Sequence, residues 1–193
     1  PGDLNMKPVA PSDVGLKIPG RKYGTPKPLT NEEIEDVIER FIFTAKVAQD
    51  TGFTGVQIHS AHGYLMSEFL SPDINKRNDE WGGSLKNRSR ILLRIINGCR
   101  EALGDNYPIS VKLNSADFQK GGFSAEDSSK VASMLSDAKI DLLEISGGTY
   151  EQPRILVLDT VSINPKRSEI RKESTIAREA YFLAYTEEIK KVI

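Results

Sequence analysis

The 193-residue chain has very little cysteine, very little histidine and no excess of charge of either sign. Cys99 is the single cysteine, so an internal disulfide is excluded and a reducing, cytoplasmic location is expected. Twenty-six basic and 27 acidic residues give a net charge of -1, which removes the electrostatic case for nucleic acid or an anionic membrane as partner. No apolar run approaches the roughly 18 residues of a membrane span.

Hydrophobic periodicity predicts helices that alternate with short strands. The predicted elements are a helix at 31–50, a strand at 54–59, a polar loop to about Gly83, a helix at 85–103, a strand at 109–113, a helix opened by Ser124, a strand at 141–146 and a helix at about 174–193. This alternation indicates a parallel α/β sheet of βα units. Three strands leave two architectures open, a small open sheet or the middle of a (β/α)8 barrel. Cys99 falls on an apolar helix face and is predicted as buried core.

Polar residues collect where each predicted strand ends. The first strand runs into His59 and His62, the only histidines of the chain, with Tyr64 close behind. The second strand ends in Lys-Leu-Asn-Ser-Ala-Asp at 112–117, and the third in Glu-Ile-Ser-Gly-Gly-Thr-Tyr at 144–150. In parallel α/β architectures the carboxyl ends of the strands face a common cavity. The pattern therefore predicts a ligand site there, and an enzyme in preference to a structural protein.

The two histidines allow two kinds of chemistry. Imidazoles three residues apart could ligate a metal, but the nearest candidate for a third ligand is Glu68, so no metal site is predicted. Neutral imidazoles can instead donate hydrogen bonds to a carbonyl oxygen or a developing oxyanion. The sequence favours this second role for His59 and His62.

Other polar positions at these strand ends have both a structural and a functional interpretation. Tyr64 is either a packing residue or a general acid near a carbon that takes up a proton. Lys112 should point into the barrel or cleft, where a buried amine needs an acceptor such as an electron-rich cofactor ring. Gly147 and Gly148 form either a turn or a place where a planar ligand or phosphate approaches the backbone closely, and the second interpretation makes them candidate cofactor-binding residues. Trp81 is interpreted as a loop anchor.

Together these residues resemble the old yellow enzyme family, the FMN-dependent NAD(P)H:flavin oxidoreductases and ene reductases, in its thermophilic-like branch. The resemblance rests on His59-x-x-His62-Gly63-Tyr64-Leu65, on Phe69-Leu70-Ser71-Pro72 and on Asn75-x-Arg77-x-Asp79-x-Trp81-Gly82-Gly83-Ser84-x-x-Asn87-Arg88. Residues 112–117 and 143–150 look like the fifth and sixth strands of the family. Ala10-Pro11-Ser12 and the helix from Asn31 look like the loop after its third strand and the helix before its fourth.

The resemblance implies a TIM barrel with FMN at its mouth. It implies that His59 and His62 hydrogen-bond the carbonyl oxygen of an α,β-unsaturated small-molecule substrate. It implies that Tyr64 donates a proton to the α-carbon and that Lys112 lies beside N1 and O2 of the flavin. NAD(P)H would reduce the flavin, which would pass a hydride to the β-carbon of the substrate.

The resemblance also sets expectations for the organisation of the chain. Residues 1–30 would be the loop after barrel strand three. Residues 31–193 would be the central part of a single FMN-binding domain, a partial (β/α)8 barrel with strands four to six and without the earlier and later strands. The alternatives are a catalytically inactive fragment or packing module without flavin, and a different flavin barrel or a metal-dependent barrel enzyme.

Overall fold

In the computed structural model, a parallel three-stranded sheet organises the part of the chain that is described, namely residues 8–18, 23–151 and 183–193. The elements in chain order are β1 (Val9–Ala10), β2 (Lys27–Pro28), α1 (Asn31–Asp50), β3 (Val56–Ser60), α2 (Leu65–Leu70), α3 (Leu85–Arg88), α4 (Arg90–Leu103), β4 (Ile109–Asn114), α5 (Ala125–Asp137), β5 (Leu142–Ser146) and α6 (Leu183–Ile189). The sheet order is β3-β4-β5, all parallel, and β1 pairs in parallel with β2. The predicted α/β alternation is confirmed.

Local sequence signals account for the ends of the main helices. The Thr30 hydroxyl accepts from the Glu33 N–H at 3.2 Å, and the Glu33 carboxylate accepts from the Thr30 N–H at 2.9 Å, a capping box that opens α1. Ser124 caps α5 in the same way by accepting from the Asp127 N–H at 3.1 Å. Gly104 ends α4 with a φ of 81°, a value that suits glycine.

The structure differs from the predicted elements in three places. The polar loop after the first strand contains α2, a helix of six residues that is too short to show a periodic pattern. The predicted helix at 85–103 is divided into α3 and α4 at Ser89, although the Ser89 backbone stays in the right-handed helical region and its N–H still donates to the Leu85 carbonyl at 2.9 Å. The final helix is described as α6, which ends at Ile189 and not at 193 as predicted, and the predicted span at 174–182 lies outside the described residues.

The hydrophobic core lies between the helices and one face of the sheet. Ile58, Val111 and Leu113 point to this face and are at most 4% exposed. Cys99 of α4 is fully buried among them, as predicted, and burial raises the pKa of its thiol to about 11. Among the described residues no helix is long and apolar enough to cross a membrane.

The loop from α2 to α3 is held by polar side chains that bind backbone atoms. The Asn75 amide donates to the carbonyls of Phe69 and Trp81, both at 2.8 Å. The Arg77 guanidinium binds the carboxylate of Asp79 and two backbone carbonyls of the N-terminal segment. The indole of Trp81 is 1% exposed, which agrees with its interpretation as a loop anchor.

Candidate active site at the carboxyl ends of the strands

The sheet brings three polar side chains into one row near the carboxyl ends of its strands. In the strand register His59 of β3 lies beside Lys112 of β4, and Lys112 lies beside Glu144 of β5. Neighbouring residues of aligned parallel strands project to the same side, so all three lie on the face opposite the helices. That face is polar and partly exposed, and it carries the predicted site residues His59 and Lys112.

His59 and His62 form a contacting pair at the end of β3. Their ring centroids are 5.1 Å apart in an edge-to-face arrangement. Partial burial is the largest cause that lowers the pKa of each ring, and the positive charge of Lys112 adds to it. Both imidazoles are therefore neutral near pH 7. The N–H of Ala61 donates to Nδ1 of His59 at 3.2 Å, which leaves Nε2–H of His59 as its donor.

Asn114, the last residue of β4, ties the loops of three strands together. Its Oδ1 accepts from the N–H of His62 at 3.2 Å, and its amide donates to Asp117 Oδ1 and to the Gly148 carbonyl, each at 3.0 Å. The residue is 1% exposed. His62 has a φ of 65°, in the left-handed region that a non-glycine residue rarely adopts, so its backbone needs such support. Its Nε2 lies 2.7 Å from the Ser146 hydroxyl.

Tyr64 lies at the solvent side of the histidine pair. Its ring centroid is 5.0 Å from that of His59, and its hydroxyl is 2.6 Å from the hydroxyl of Tyr150. The bond with Tyr150 is the largest cause that raises the pKa of Tyr64, so the phenol holds its proton at neutral pH. Sequence analysis did not single out Tyr150, although its position two residues after the predicted glycine pair is a usable signal.

Lys112 has a protein partner that the sequence analysis did not identify. Its Nζ lies 2.9 Å from Oε1 of Glu144, and Oε2 of Glu144 accepts from the Gln57 amide at 2.9 Å. The amine is therefore paired on the open face of the sheet rather than left for a cofactor alone. No sequence signal identified Glu144, because its place beside Lys112 depends on the register between β4 and β5.

The glycine pair after β5 has a structural reason in this chain. A Cβ on Gly147 would lie 2.8 Å from the ring of Phe118 and 3.0 Å from the hydroxyl of Ser115. Gly148 has a φ of 85°, and its carbonyl accepts from Asn114. Close packing and the turn thus require both glycines, and a role beside a cofactor stays a prediction.

Glu68 lies in the first turn of α2. It lines a small cavity of about 50 Å³ together with Asp117 and Tyr150. Burial raises the pKa of the Glu68 carboxyl to about 7 and also raises that of Asp117. Among the described residues no group of three or more histidine, cysteine, aspartate or glutamate side chains could hold a metal ion.

Comparison with known proteins gives consistent matches along the chain. The model of the NADH:flavin oxidoreductase / NADH oxidase family matches residues 3–179. An NADH oxidase of Thermoanaerobacter brockii is 37% identical over 188 residues, which are 97% of this chain and 26% of that protein.

Two solved structures are similar as well. The complex of 2-naphthoyl-CoA reductase with 2-naphthoyl-CoA is 34% identical, with a TM-score of 0.77 over 96% of this chain and 26% of that one. The old yellow enzyme homologue from Zymomonas mobilis is 32% identical, with a TM-score of 0.65 over 77% of this chain and 46% of that one. The chain thus spans about a quarter to a half of the length of these relatives.

Proposed function

Because the chain belongs to the NADH:flavin oxidoreductase / NADH oxidase family, that of old yellow enzyme, we propose that it carries the substrate-binding part of an FMN-dependent oxidoreductase. Its strands and helices are part of a (β/α)8 barrel, the fold of these relatives. FMN and NAD(P)H are the cofactor and reductant of the family. The proposed reaction is reduction of the activated C=C bond of an α,β-unsaturated carbonyl compound. The observation that carries this proposal is the neutral histidine pair beside the Tyr64 phenol.

The polar face of the sheet fits a flavin. FMN supplies, when bound, the redox centre that accepts a hydride from NAD(P)H and delivers it to the substrate. Lys112 provides a positive charge on that face, and such a charge suits N1 and O2 of the ring, where negative charge collects on reduction. Gly147 and Gly148 have no Cβ and would let the cofactor approach the backbone closely, so we propose them, with Lys112, as cofactor-binding residues.

The histidine pair would bind and polarise the carbonyl oxygen of the substrate. Nε2–H of His59 is free of the Ala61 bond and available to the oxygen, and His62 would be the second donor. Hydrogen bonds from neutral donors strengthen as negative charge develops on the oxygen, so they stabilise the transition state more than the bound substrate.

Tyr64 would protonate the α-carbon. Its phenol holds a proton at neutral pH, and its ring contacts His59, so a substrate held by the histidines would lie beside it. Tyr150 contacts the Tyr64 hydroxyl and would be the route by which the proton is restored from solvent.

The proposed substrates are small molecules. The 2-naphthoyl-CoA complex shows that a relative binds an aromatic acyl thioester, and the enone class for this chain is our inference from the residues. We also propose a reducing, cytoplasmic location, since Cys99 is the single cysteine.

Titration of the protein into FMN is the first test, with quenching of flavin fluorescence and co-elution in gel filtration as readouts. Tight stoichiometric binding supports a flavoprotein. Absence of binding by the folded protein would favour the alternative, a packing module without flavin. The polar inner face, with Lys112 and Glu144 paired on it, argues against that alternative because a packing surface would be apolar.

Two variants of the FMN-loaded protein test the residue roles. His59→Ala should weaken binding of a phenol or an enone about tenfold, the effect of one lost hydrogen bond. Tyr64→Phe should slow oxidation of the reduced flavin by an enone about 10²–10⁴-fold and leave its reduction by NAD(P)H unchanged. Equal losses in both half-reactions would mean that Tyr64 has a structural role.

A further inference from the structure

Both carboxylate oxygens of Glu144 are engaged by neighbouring strands. Oε1 binds the amine of Lys112 on β4, and Oε2 accepts from the amide of Gln57 on β3, each at 2.9 Å. The strand register places Glu144 beside Lys112 and Lys112 beside His59. One acidic residue therefore links the three strands across the face that carries the proposed site.

The charges in this row act against each other at the histidines. Lys112 lowers the pKa of both His59 and His62, and Glu144 raises both, in addition to the larger effect of burial. The hydrogen bond from Lys112 is the largest cause that lowers the pKa of Glu144, so the carboxylate is ionised at neutral pH. The site therefore contains a paired amine rather than an isolated cation.

We propose that Glu144 is the positioning residue of Lys112 and sets how much of its positive charge reaches the proposed flavin and histidine sites. This inference rests on the proposed function, in which Lys112 lies beside the flavin. The carboxylate fixes the flexible lysine stem at one point of the sheet, and the Gln57 amide fixes the carboxylate. The negative charge of Glu144 also offsets part of the positive charge of Lys112, which would otherwise stabilise the reduced, anionic form of the cofactor.

Proton NMR of the two histidines tests this inference without flavin. The chain has no other histidine, so each ring can be followed through a pH titration. Glu144→Gln keeps the shape of the side chain and should lower both histidine pKa values, and Lys112→Met should raise both. Glu101→Gln is the matched control, because it removes the same charge in the last turn of α4, at the other end of the strands. Unchanged histidine titrations in Glu144→Gln would overturn the inference.

The midpoint potential of the bound FMN provides the second test. Glu144→Gln should make the potential more positive and tighten binding of reduced FMN relative to oxidised FMN. Lys112→Met should shift both quantities in the opposite direction, and Glu101→Gln should leave them unchanged. A shift with Lys112→Met and none with Glu144→Gln would overturn the role of Glu144 alone. If neither variant shifts the potential, Lys112 does not lie beside the flavin, and the proposed effect of Glu144 on the cofactor is overturned as well.

Discussion

Replacing Asn114 with alanine should lower the free energy of unfolding substantially. Its amide makes three hydrogen bonds, at 3.0 Å to Asp117 and Gly148 and at 3.2 Å to the N–H of His62, and the residue is 1% exposed. With about 1 kcal/mol for each lost bond, and more where the remaining partner stays buried, the expected loss is about 3–4 kcal/mol. That is a large part of the roughly 5–15 kcal/mol that stabilises a domain.

Urea denaturation followed by far-ultraviolet circular dichroism measures this loss by linear extrapolation. Asn78→Ala is the matched control, because Asn78 is exposed and its replacement should change stability by less than about 0.5 kcal/mol. Asn114→Asp keeps the shape but turns two donated bonds into contacts of a carboxylate with Asp117 and with the Gly148 carbonyl, so we expect it to be no more stable than the alanine variant. A loss below about 1 kcal/mol in Asn114→Ala would refute the role of Asn114 as the tie between loops.

Three further outcomes follow from described contacts. Gly82→Ala should lower the free energy of unfolding by about 1–3 kcal/mol, because the added Cβ would overlap the carbonyl oxygen of Arg77. Gly15→Ala is the control and should leave stability unchanged, because the Cβ there would enter open space. Equal effects of the two variants in urea denaturation would contradict this reasoning. The pKa of Glu68 is raised from 4.5 to about 7, so the contribution of its protonated carboxyl to stability is fully present below pH 4.5 and is lost as the pH rises through about 7. Between about pH 5 and about pH 7 the unfolding free energy should therefore fall less in Glu68→Gln than in the unchanged protein, and equal changes would contradict the raised pKa. Cys99 is buried and its thiol pKa is raised to about 11, so it should react with a thiol reagent only when the protein unfolds locally or globally. Rapid reaction of the folded protein would show that Cys99 is accessible to solvent.

The sequence was sufficient for the elements with strong local signals. The Thr30 and Ser124 caps and the apolar spacing of α1, α4 and α5 predict helices that the structure contains. The three strands are short apolar runs between such helices, and their parallel arrangement follows from the alternation. The short α2 could not be predicted, because a helix of six residues has under two turns of pattern, and the division between α3 and α4 at Ser89 has no signal in the apolar spacing.

The sequence singled out residues that the structure brings close together, but it did not predict the contacts between them. Position near the carboxyl end of a predicted strand, where side chains of neighbouring strands meet, was enough to make four residues candidates, namely His59, His62, Tyr64 and Lys112. Their partners lie far away in sequence, as Glu144 does from Lys112, and only the strand register brings them together. Pairwise contacts of this kind are a property of tertiary structure, and a single sequence records them only as separate polar residues.

Hydrogen bonds from side chains to backbone carbonyls hold the polar loop between α2 and α3. Asn75 and Arg77 bind backbone carbonyls there, and the guanidinium of Arg88 binds the carbonyls of Leu70 and Gly83. The segment from Asn75 to Arg88, the longest run of residues on which the resemblance rests, thus holds the shape of a loop and not the proposed chemistry. None of these contacts involves His59 or Tyr64, so a protein without those two side chains could form the same loop. A search for relatives that uses the segment from Asn75 to Arg88 alone will therefore find proteins that share this loop. Whether they also carry the proposed chemistry must be checked separately at the positions of His59 and Tyr64.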